Sequence, residues 1–378
     1  MVEPLRVNTL PCRADTEIEG LYVFGRSNAE GKEIPHLPFI NLDSTGNSEG
    51  WYTIRSFRSA TTVGSFFCDG LSETFTEGDI LWINPRHGKI KGILTAGSNA
   101  NTLLLTEQCE NRCRFCSQPP NELEDTELYH KATLALLNFD TCDYVGLSGG
   151  EPTHNKNAFL TLIKTISKLG NKTKLHILTN GRSLSNYEYA REIVRNIGER
   201  EVLWGIPLYG HKATLHDELV GSSGAFIETI SGISNILNLG QTIELRIVPT
   251  RQNITSLKNI LEFITSNYLP IKIISIMNLE PKGLARKNYN SIYTPVEDQI
   301  DNLEKAVRVG ERYGCNVRLF NYPLCLVTEY LRTRAVKAIS DWKNYYPQDC
   351  IGCKVQQECG GMFASSIGSF QEKVRRIK

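Results

Sequence analysis

The chain has no apolar run approaching the roughly 20 residues that a membrane-crossing helix needs, which argues against an integral membrane protein. It has no excess of either charge: 42 Lys and Arg stand against 41 Asp and Glu. Without a global field, nothing in the composition recruits nucleic acid or an anionic membrane surface. Residues 1–12 lack the apolar core and small-residue cleavage pattern of an export signal. The expectation is a soluble, cytoplasmic protein with neither a membrane nor a nucleic-acid partner. An apolar fraction of 40% over 378 residues allows a sizeable core, in one large domain or two to three ordinary ones.

Cysteine, in contrast, is plentiful. There are eleven, an odd number, and most fall in two clusters. Cys109, Cys113 and Cys116 form one. Cys350, Cys353 and Cys359 form the other, with Cys325 upstream. Without export, disulfides are not expected, so clustered thiols read as metal ligands. Cys12, Cys68, Cys142 and Cys315 are scattered and read as small buried hydrophobes.

Three regions are predicted. Residues 1–98 are β-rich: 21–24, 52–54 and 80–83 are runs of strand formers, and 80–83 with 89–94 makes a hairpin. Residues 99–320 alternate short apolar runs with helix-period segments. The strands are predicted at 102–106, 143–147, 174–178, 202–206, 242–248 and 271–276. The helices are predicted at 124–137, 156–168, 186–196, 225–239 and 254–267, then 296–313, with a further strand at 316–320. Alternating strands and helices, with strands buried on both faces, predict a parallel sheet. Six such units give an α/β fold of partial (β/α)6 barrel type. Residues 321–378 are short and irregular, and the basic stretch 373–378 reads as a solvated end.

In a barrel of this kind the chemistry sits at the C-terminal ends of the strands. Four polar motifs follow strands directly: the first cysteine run, Gly149-Gly-Glu151, Thr179-Asn-Gly181 and Asn278-Leu-Glu280. The first run is Cys109-Glu-Asn-Arg-Cys113-Arg-Phe-Cys116, spaced C-x3-C-x2-C. Three thiolates hold three irons of a [4Fe–4S] cluster and leave the fourth open. A structural zinc site wants four ligands, and His130 could in principle complete one. Gly149 and Gly150 let backbone approach a ligand closely. Their amides and the Glu151 carboxylate suit the head group of an amino acid. Cys325, Cys350, Cys353 and Cys359 could close a metal site fully, as zinc or as an auxiliary [4Fe–4S] cluster; spacing does not separate the two.

C-x3-C-x2-C with Phe115 before the third cysteine, followed by Gly-Gly-Glu-Pro, resembles the radical S-adenosylmethionine (SAM) superfamily over residues 101–320. The resemblance implies that SAM binds the open iron through its amino and carboxylate groups. One electron then cleaves its sulfonium C–S bond, and a 5′-deoxyadenosyl radical takes hydrogen from the substrate. It places Gly149, Gly150 and Glu151 at the methionyl end, Phe115 near adenine, and Asn180 and Arg246 in the ribose and carboxylate region. Glu280 would face the substrate cavity as a catalytic candidate, its alternative being a rim salt bridge with Lys282 or Arg286. His216 is a loop or capping histidine in the residue-level reading, within a segment that looks like one found in peptide-modifying members.

Longer stretches are similar to the maturase of the His-Xaa-Ser peptide system. They include Cys116-Ser-Gln-Pro-Pro120, Leu178-Thr-Asn-Gly-Arg182, Asn321-Tyr-Pro-Leu-Cys325, Ile339-Ser-Asp-Trp-Lys-Asn344 and Cys359-Gly-Gly-Met-Phe363. Met362 departs from the aromatic expected there. This resemblance implies a partner peptide with His-Xaa-Ser repeats, an electron donor and a second radical SAM protein. Two rivals stand beside it: a radical SAM enzyme acting on a small molecule or nucleoside, and a non-catalytic Fe–S or zinc scaffold for a peptide.

Overall fold

The computed structural model describes residues 9–14, 19–25, 39–41, 51–55, 62–68, 71–98, 100–139, 144–168, 172–268, 270–271, 273–337 and 343–378. Cys142 and the stretch 339–342 lie outside the described residues. Two eight-stranded sheets account for most of the described strands.

The first sheet holds β1 (Thr9–Pro11), β2 (Arg13–Ala14), β3 (Gly20–Gly25), β4 (Phe39–Asn41), β5 (Trp51–Arg55), β6 (Thr62–Phe67), β7 (Ile80–Asn84) and β8 (Lys89–Leu94). Its order is β1-β8-β7-β3-β4-β5-β6-β2. The expected hairpin is β7–β8, with Asn84 opposite Lys89. Its turn works because the Asn84 side chain accepts from the His87 N–H at 3.2 Å and Gly88 adopts φ 57°. Buried Asp79 ties the hairpin's open end, accepting from the Thr76 N–H at 2.9 Å and the Ala96 N–H at 2.7 Å.

The second sheet is all parallel: β9 (Thr102–Leu104), β10 (Tyr144–Ser148), β11 (Lys174–Leu178), β12 (Val202–Pro207), β13 (Thr242–Ile247), β14 (Ile273–Met277), β15 (Asn316–Phe320) and β16 (Ala335–Val336). They pair in sequence order, with β9 and β16 as the two edges, so the barrel is partial. The helices lie where the periodicity put them, notably Lys156–Lys168 and Val296–Arg312. Helix Tyr187–Ile197 starts because the Asn186 side chain accepts from the Tyr189 N–H at 3.0 Å. Two short helices, Ala213–Val220 and Leu284–Ile292, were not expected. Leu284–Ile292 is rich in Asn and charge, and its apolar stripe is only three residues long, Ala285, Tyr289 and Ile292, which pack beside Phe115.

The strands alternate. Val145, Leu147, Ile177, Trp204, Ile206, Leu245, Ile274 and Ile276 are fully buried in one core. A side chain of this kind stabilises by roughly 1.5–3 kcal/mol on burial. Leu21, Ile80 and Leu94 of the first sheet join the same core. The opposite face, expected to be buried like the first, is only partly so, and it mixes apolar Leu178, Leu203 and Met277 with polar side chains. His176, Glu244, Arg246 and Ser275 stand on it at alternate positions. An inward face that is not closed by another layer tolerates polar groups when they pair with each other.

The C-terminal segment packs on the barrel mouth. A two-stranded ribbon, Asn344–Tyr345 with Met362–Phe363, pairs Tyr345 with Met362. The basic end is not free in solvent. The Ile377 N–H donates to Cys353 Sγ at 3.3 Å, and the Lys354 N–H donates to the Ile377 carbonyl at 3.1 Å.

Candidate functional site

The cysteine loop leaves β9 and is gripped from three sides. The Gly-Gly-Glu turn after β10 grips its start: the Gly150 N–H donates to the Thr106 carbonyl at 2.7 Å and the Glu151 N–H to the Gln108 carbonyl at 2.8 Å. The end of helix Ala213–Val220 grips its middle. There the Arg112 N–H donates to the Val220 carbonyl at 2.8 Å and the Arg114 N–H to the Leu219 carbonyl at 3.0 Å. The Leu284 N–H, opening the helix after β14, donates to the Cys116 carbonyl at 2.8 Å. Gly283 makes that approach possible, since a Cβ there would lie 2.6 Å from the Cys116 carbonyl oxygen.

Gly149 and Gly150 therefore face the cysteine loop with their missing side chains. A Cβ at 149 would lie 2.4 Å from the Thr106 oxygen, and one at 150 would lie 2.2 Å from the Gln108 oxygen. Glu151 is fully buried. Its Oε1 accepts from the Thr153 N–H (2.9 Å), the Thr153 hydroxyl (2.6 Å) and the Thr179 hydroxyl (2.6 Å), and its Oε2 from the Asn180 N–H (2.6 Å). Burial and the nearby Glu110 carboxylate push the Glu151 carboxyl up, against the pull of those bonds. The carboxylate thus binds the β10 turn to the β11 turn.

The three thiols share a neighbourhood. Burial first, then the sulfurs of Cys116 and Cys109, push the Cys113 thiol up. Burial and the Glu151 carboxylate push Cys109 up to about 12. Cys109 Sγ accepts from the Asn111 N–H at 3.4 Å, and the Asn180 amide nitrogen lies 3.9 Å from it. That amide also donates to Glu110 at 3.0 Å. The Cys116 thiol donates to the Gln118 carbonyl at 2.8 Å. Among the described residues, no three His, Cys, Asp or Glu side chains surround one point as the ligands of a single ion would.

Phe115 is buried edge-on against Tyr209, with ring centroids 4.8 Å apart. Tyr209 stacks on His216 at 5.8 Å. Buried His216 accepts from the Tyr209 N–H through Nδ1 at 3.3 Å, and burial lowers it to about 4, so it stays neutral and structural. Arg182 ties the loop to the β11 turn, donating to Asn111 Oδ1 at 2.6 Å, Ser222 at 2.8 Å and Glu228 at 2.5 Å. His130 sits on the exposed side of helix Glu127–Leu137. Glu280 is paired with Lys343 of the C-terminal segment at 3.0 Å, a bridge across the rim to a different lysine from the one expected.

Arg246 lies on the inward barrel face, its side chain 20% exposed, 3.1 Å from Glu244 and with its other arm 3.2 Å from Met277 Sδ. The Glu244 carboxylate also meets His176 Nε2 at 2.8 Å and accepts from the Ser275 hydroxyl. Sequence reasoning missed Glu244, His176, Tyr209 and Arg182. Single polar residues between apolar ones, Leu175-His-Ile177, Ile243-Glu-Leu-Arg-Ile247 and Ile274-Ser-Ile276, were the available signal for polar groups on the inward face. Burial alone would raise the Glu244 carboxyl, but His176, Arg246 and Ser275 outweigh it and bring it down to about 2. A depressed carboxylate adds stability above its unfolded value, and that stability is lost as pH falls through its folded value. Wild type is expected to lose about 3 kcal/mol more than Glu244→Gln between pH 5 and 2. Denaturant unfolding across that range reads this; parallel curves for the two chains would contradict it.

The four C-terminal cysteines come together. Cys325, Cys350, Cys353 and Cys359 line one cavity with ≈ 340 Å³ of empty space, together with Tyr346, Met362, Val374 and Arg375. A neighbouring cavity of ≈ 300 Å³ lies between the β14 loop and the C-terminal segment, lined by Asn278, Tyr289, Tyr293, Phe363, Phe370 and others.

The family model of the radical SAM superfamily matches residues 103–264. No curated protein matches the chain. Among solved structures, SuiB of Streptococcus suis bound to S-adenosylmethionine is similar at 18% identity and TM-score 0.45, over 58% of this chain and 49% of that one. SuiB bound to the precursor peptide SuiA is similar at 18% identity and TM-score 0.43, over 58% and 48%. The FeFe-hydrogenase maturase HydG from Carboxydothermus hydrogenoformans is similar at 14% identity and TM-score 0.43, over 60% and 54%. The match thus spans about half the length of each of these proteins. The segment 103–264, with its three-cysteine loop and the Gly-Gly-Glu turn that grips it, belongs to the radical SAM superfamily.

Proposed function

We propose that the chain is a radical SAM enzyme that modifies a partner peptide. The enzyme reading is carried by one arrangement: three neighbouring thiols on a loop at the C-terminal rim of a parallel barrel, gripped by the Gly-Gly-Glu turn inside the family match. The donor set fits a [4Fe–4S] cluster, since Cys109, Cys113 and Cys116 supply three soft ligands and leave one iron for SAM. When bound, cluster and SAM supply one-electron cleavage of the sulfonium bond and a 5′-deoxyadenosyl radical that takes hydrogen from the substrate.

The chain's own residues would do the rest. The Asn111 N–H stabilises negative charge on the Cys109 sulfur, with the Asn180 amide beside it. Phe115 and Tyr209 form an apolar wall that keeps water from the reacting atoms. Arg246 is the cation for the SAM carboxylate or ribose region. Gly149, Gly150 and Glu151 hold the cysteine loop in place, and through it the position at which the methionyl end of SAM would dock. Glu280, on the rim, is the candidate that touches substrate. Cys325, Cys350, Cys353 and Cys359 would hold an auxiliary [4Fe–4S] cluster. In this reading residues 1–98, 99–320 and 321–378 are three functional units.

The peptide, with His-Xaa-Ser repeats and a second radical SAM protein as partner, rests on the sequence resemblance. The test is anaerobic reconstitution with iron and sulfide, then SAM and dithionite, with co-expression of a candidate peptide. The expected results are 5′-deoxyadenosine and a defined mass shift of the peptide, such as loss of two hydrogens. No 5′-deoxyadenosine would leave the scaffold reading standing. Product without any peptide shift would sink the peptide and favour a small-molecule substrate.

A further inference from the structure

The last residues of the chain reach into the four-cysteine site. Val374 and Arg375 line its cavity alongside all four thiols. The Ile377 N–H donates to Cys353 Sγ at 3.3 Å, and the Arg375 backbone N–H lies near the Cys325 sulfur across the same cavity. From the other side, Cys359 Sγ accepts from the Leu324 N–H at 3.4 Å and the Gly361 N–H at 3.3 Å. Two of these four N–H groups come from a segment that composition alone would assign to solvent.

The segment is anchored at both ends of its path. Glu372 accepts from the Val296 N–H at 2.9 Å, at the start of helix Val296–Arg312, and from the Tyr293 hydroxyl. Val374 packs against the main core. Lys354, one residue past Cys353, donates back to the Ile377 carbonyl at 3.1 Å. That exchange makes a two-way bridge between the tail and the Cys350–Cys353 turn. Lys373, Arg375, Arg376 and Lys378 give the same six residues four positive charges.

Four thiolates carry more negative charge than one divalent ion or an oxidised [4Fe–4S] core supplies in return. N–H donors to sulfur and nearby cations offset that excess, and they set both metal retention and reduction potential. Thiols, by contrast, gain little from such donors. We infer that residues 373–378 are a strap of the C-terminal metal site, with the Arg375 and Ile377 N–H groups stabilising metal-bound Cys325 and Cys353. The inference rests on the reading of the four cysteines as ligands, and the experiment separates the two.

The full-length, metal-loaded chain is alkylated under anaerobic conditions, and labelling of each cysteine is followed by mass spectrometry, with iron, zinc and sulfide counted in parallel. In wild type, Cys325, Cys350, Cys353 and Cys359 are protected. Ile377→Pro removes the N–H and is expected to speed labelling of Cys353 by about tenfold, the weight of one hydrogen bond to a charged acceptor. Ile377→Ala keeps the N–H and is expected to label as wild type does. Arg375→Pro should do to Cys325 what Ile377→Pro does to Cys353. Wild-type cysteines that label as free thiols, with no second metal complement, would overturn the ligand reading itself. Protection in wild type that persists in both proline variants would overturn the strap alone. If a proline variant also exposes Cys109, Cys113 and Cys116, it has misfolded, and deletion of 373–378 decides: Cys325 and Cys353 must then label faster than in wild type.

Discussion

Cys113→Ala is expected to abolish reductive cleavage of S-adenosylmethionine while the chain still folds. Two thiolates do not retain a cluster that needs three, so the open iron goes with the rest. The structural cost is small. The loop is held by backbone bonds at Thr106, Gln108, Arg112, Arg114 and Cys116, none of which uses the Cys113 sulfur. Loss of one buried sulfur costs on the order of 1 kcal/mol. After anaerobic reconstitution, iron should fall by about four per chain, the content of one cluster, with the C-terminal site still loaded. 5′-Deoxyadenosine should drop to the level seen without protein. A melting transition that stays cooperative, with no product, separates lost chemistry from lost fold. Cleavage persisting at the wild-type rate would remove Cys113 from the site and with it the three-ligand assignment.

The barrel was legible because its outward strand faces are apolar and its helices periodic. Strands Lys174–Leu178 and Asn316–Phe320 and helix Lys156–Lys168 begin and end where the sequence pattern placed them. The cysteine loop and the Gly-Gly-Glu turn were legible as neighbours because both follow strands of one parallel sheet. What did not show in the sequence is direction. Glu151 reads as a rim carboxylate suited to an amino-acid head group, yet four donors from its own turn and the next one turn it inward. Glu244 and His176 were read as parts of buried strands, although single polar residues at alternate positions are the mark of a second, polar face. Tyr209 and the helix Ala213–Val220 lie in a stretch with mixed apolar and polar residues, where tertiary contact with the cysteine loop decides the local structure. The tail was misread because charge at a chain end ordinarily means solvent. Its contacts here are made by backbone, which composition does not reveal.

Gly150→Ala should weaken cluster binding at the three-cysteine site, although residue 150 carries no side chain that touches it. An alanine Cβ there would sit 2.2 Å from the Gln108 oxygen, 2.6 Å from the Gln108 carbonyl carbon and 2.9 Å from the Glu107 oxygen. All three atoms are backbone, so no rotamer change relieves the clash. Either the Gly-Gly-Glu turn or the start of the cysteine loop must move. The turn is held by buried Glu151, whose four bonds fix it to the β11 turn, while Cys109 stands one residue beyond Gln108. The loop is the softer partner, and Cys109 moves with it. Overpacking of this kind costs about 1–3 kcal/mol, which at the loop is roughly a tenfold or greater loss of cluster affinity. Competition with an iron chelator on the reconstituted chain reads that loss, and the four-cysteine site, which makes none of these contacts, serves as the internal reference. The competing view has the glycines clear a path for the methionyl group of SAM. It predicts a variant that keeps its iron and loses only SAM binding. Full iron retention at the three-cysteine loop, with weakened SAM affinity measured by equilibrium dialysis, would decide for a ligand-facing turn over the strut that the backbone geometry describes.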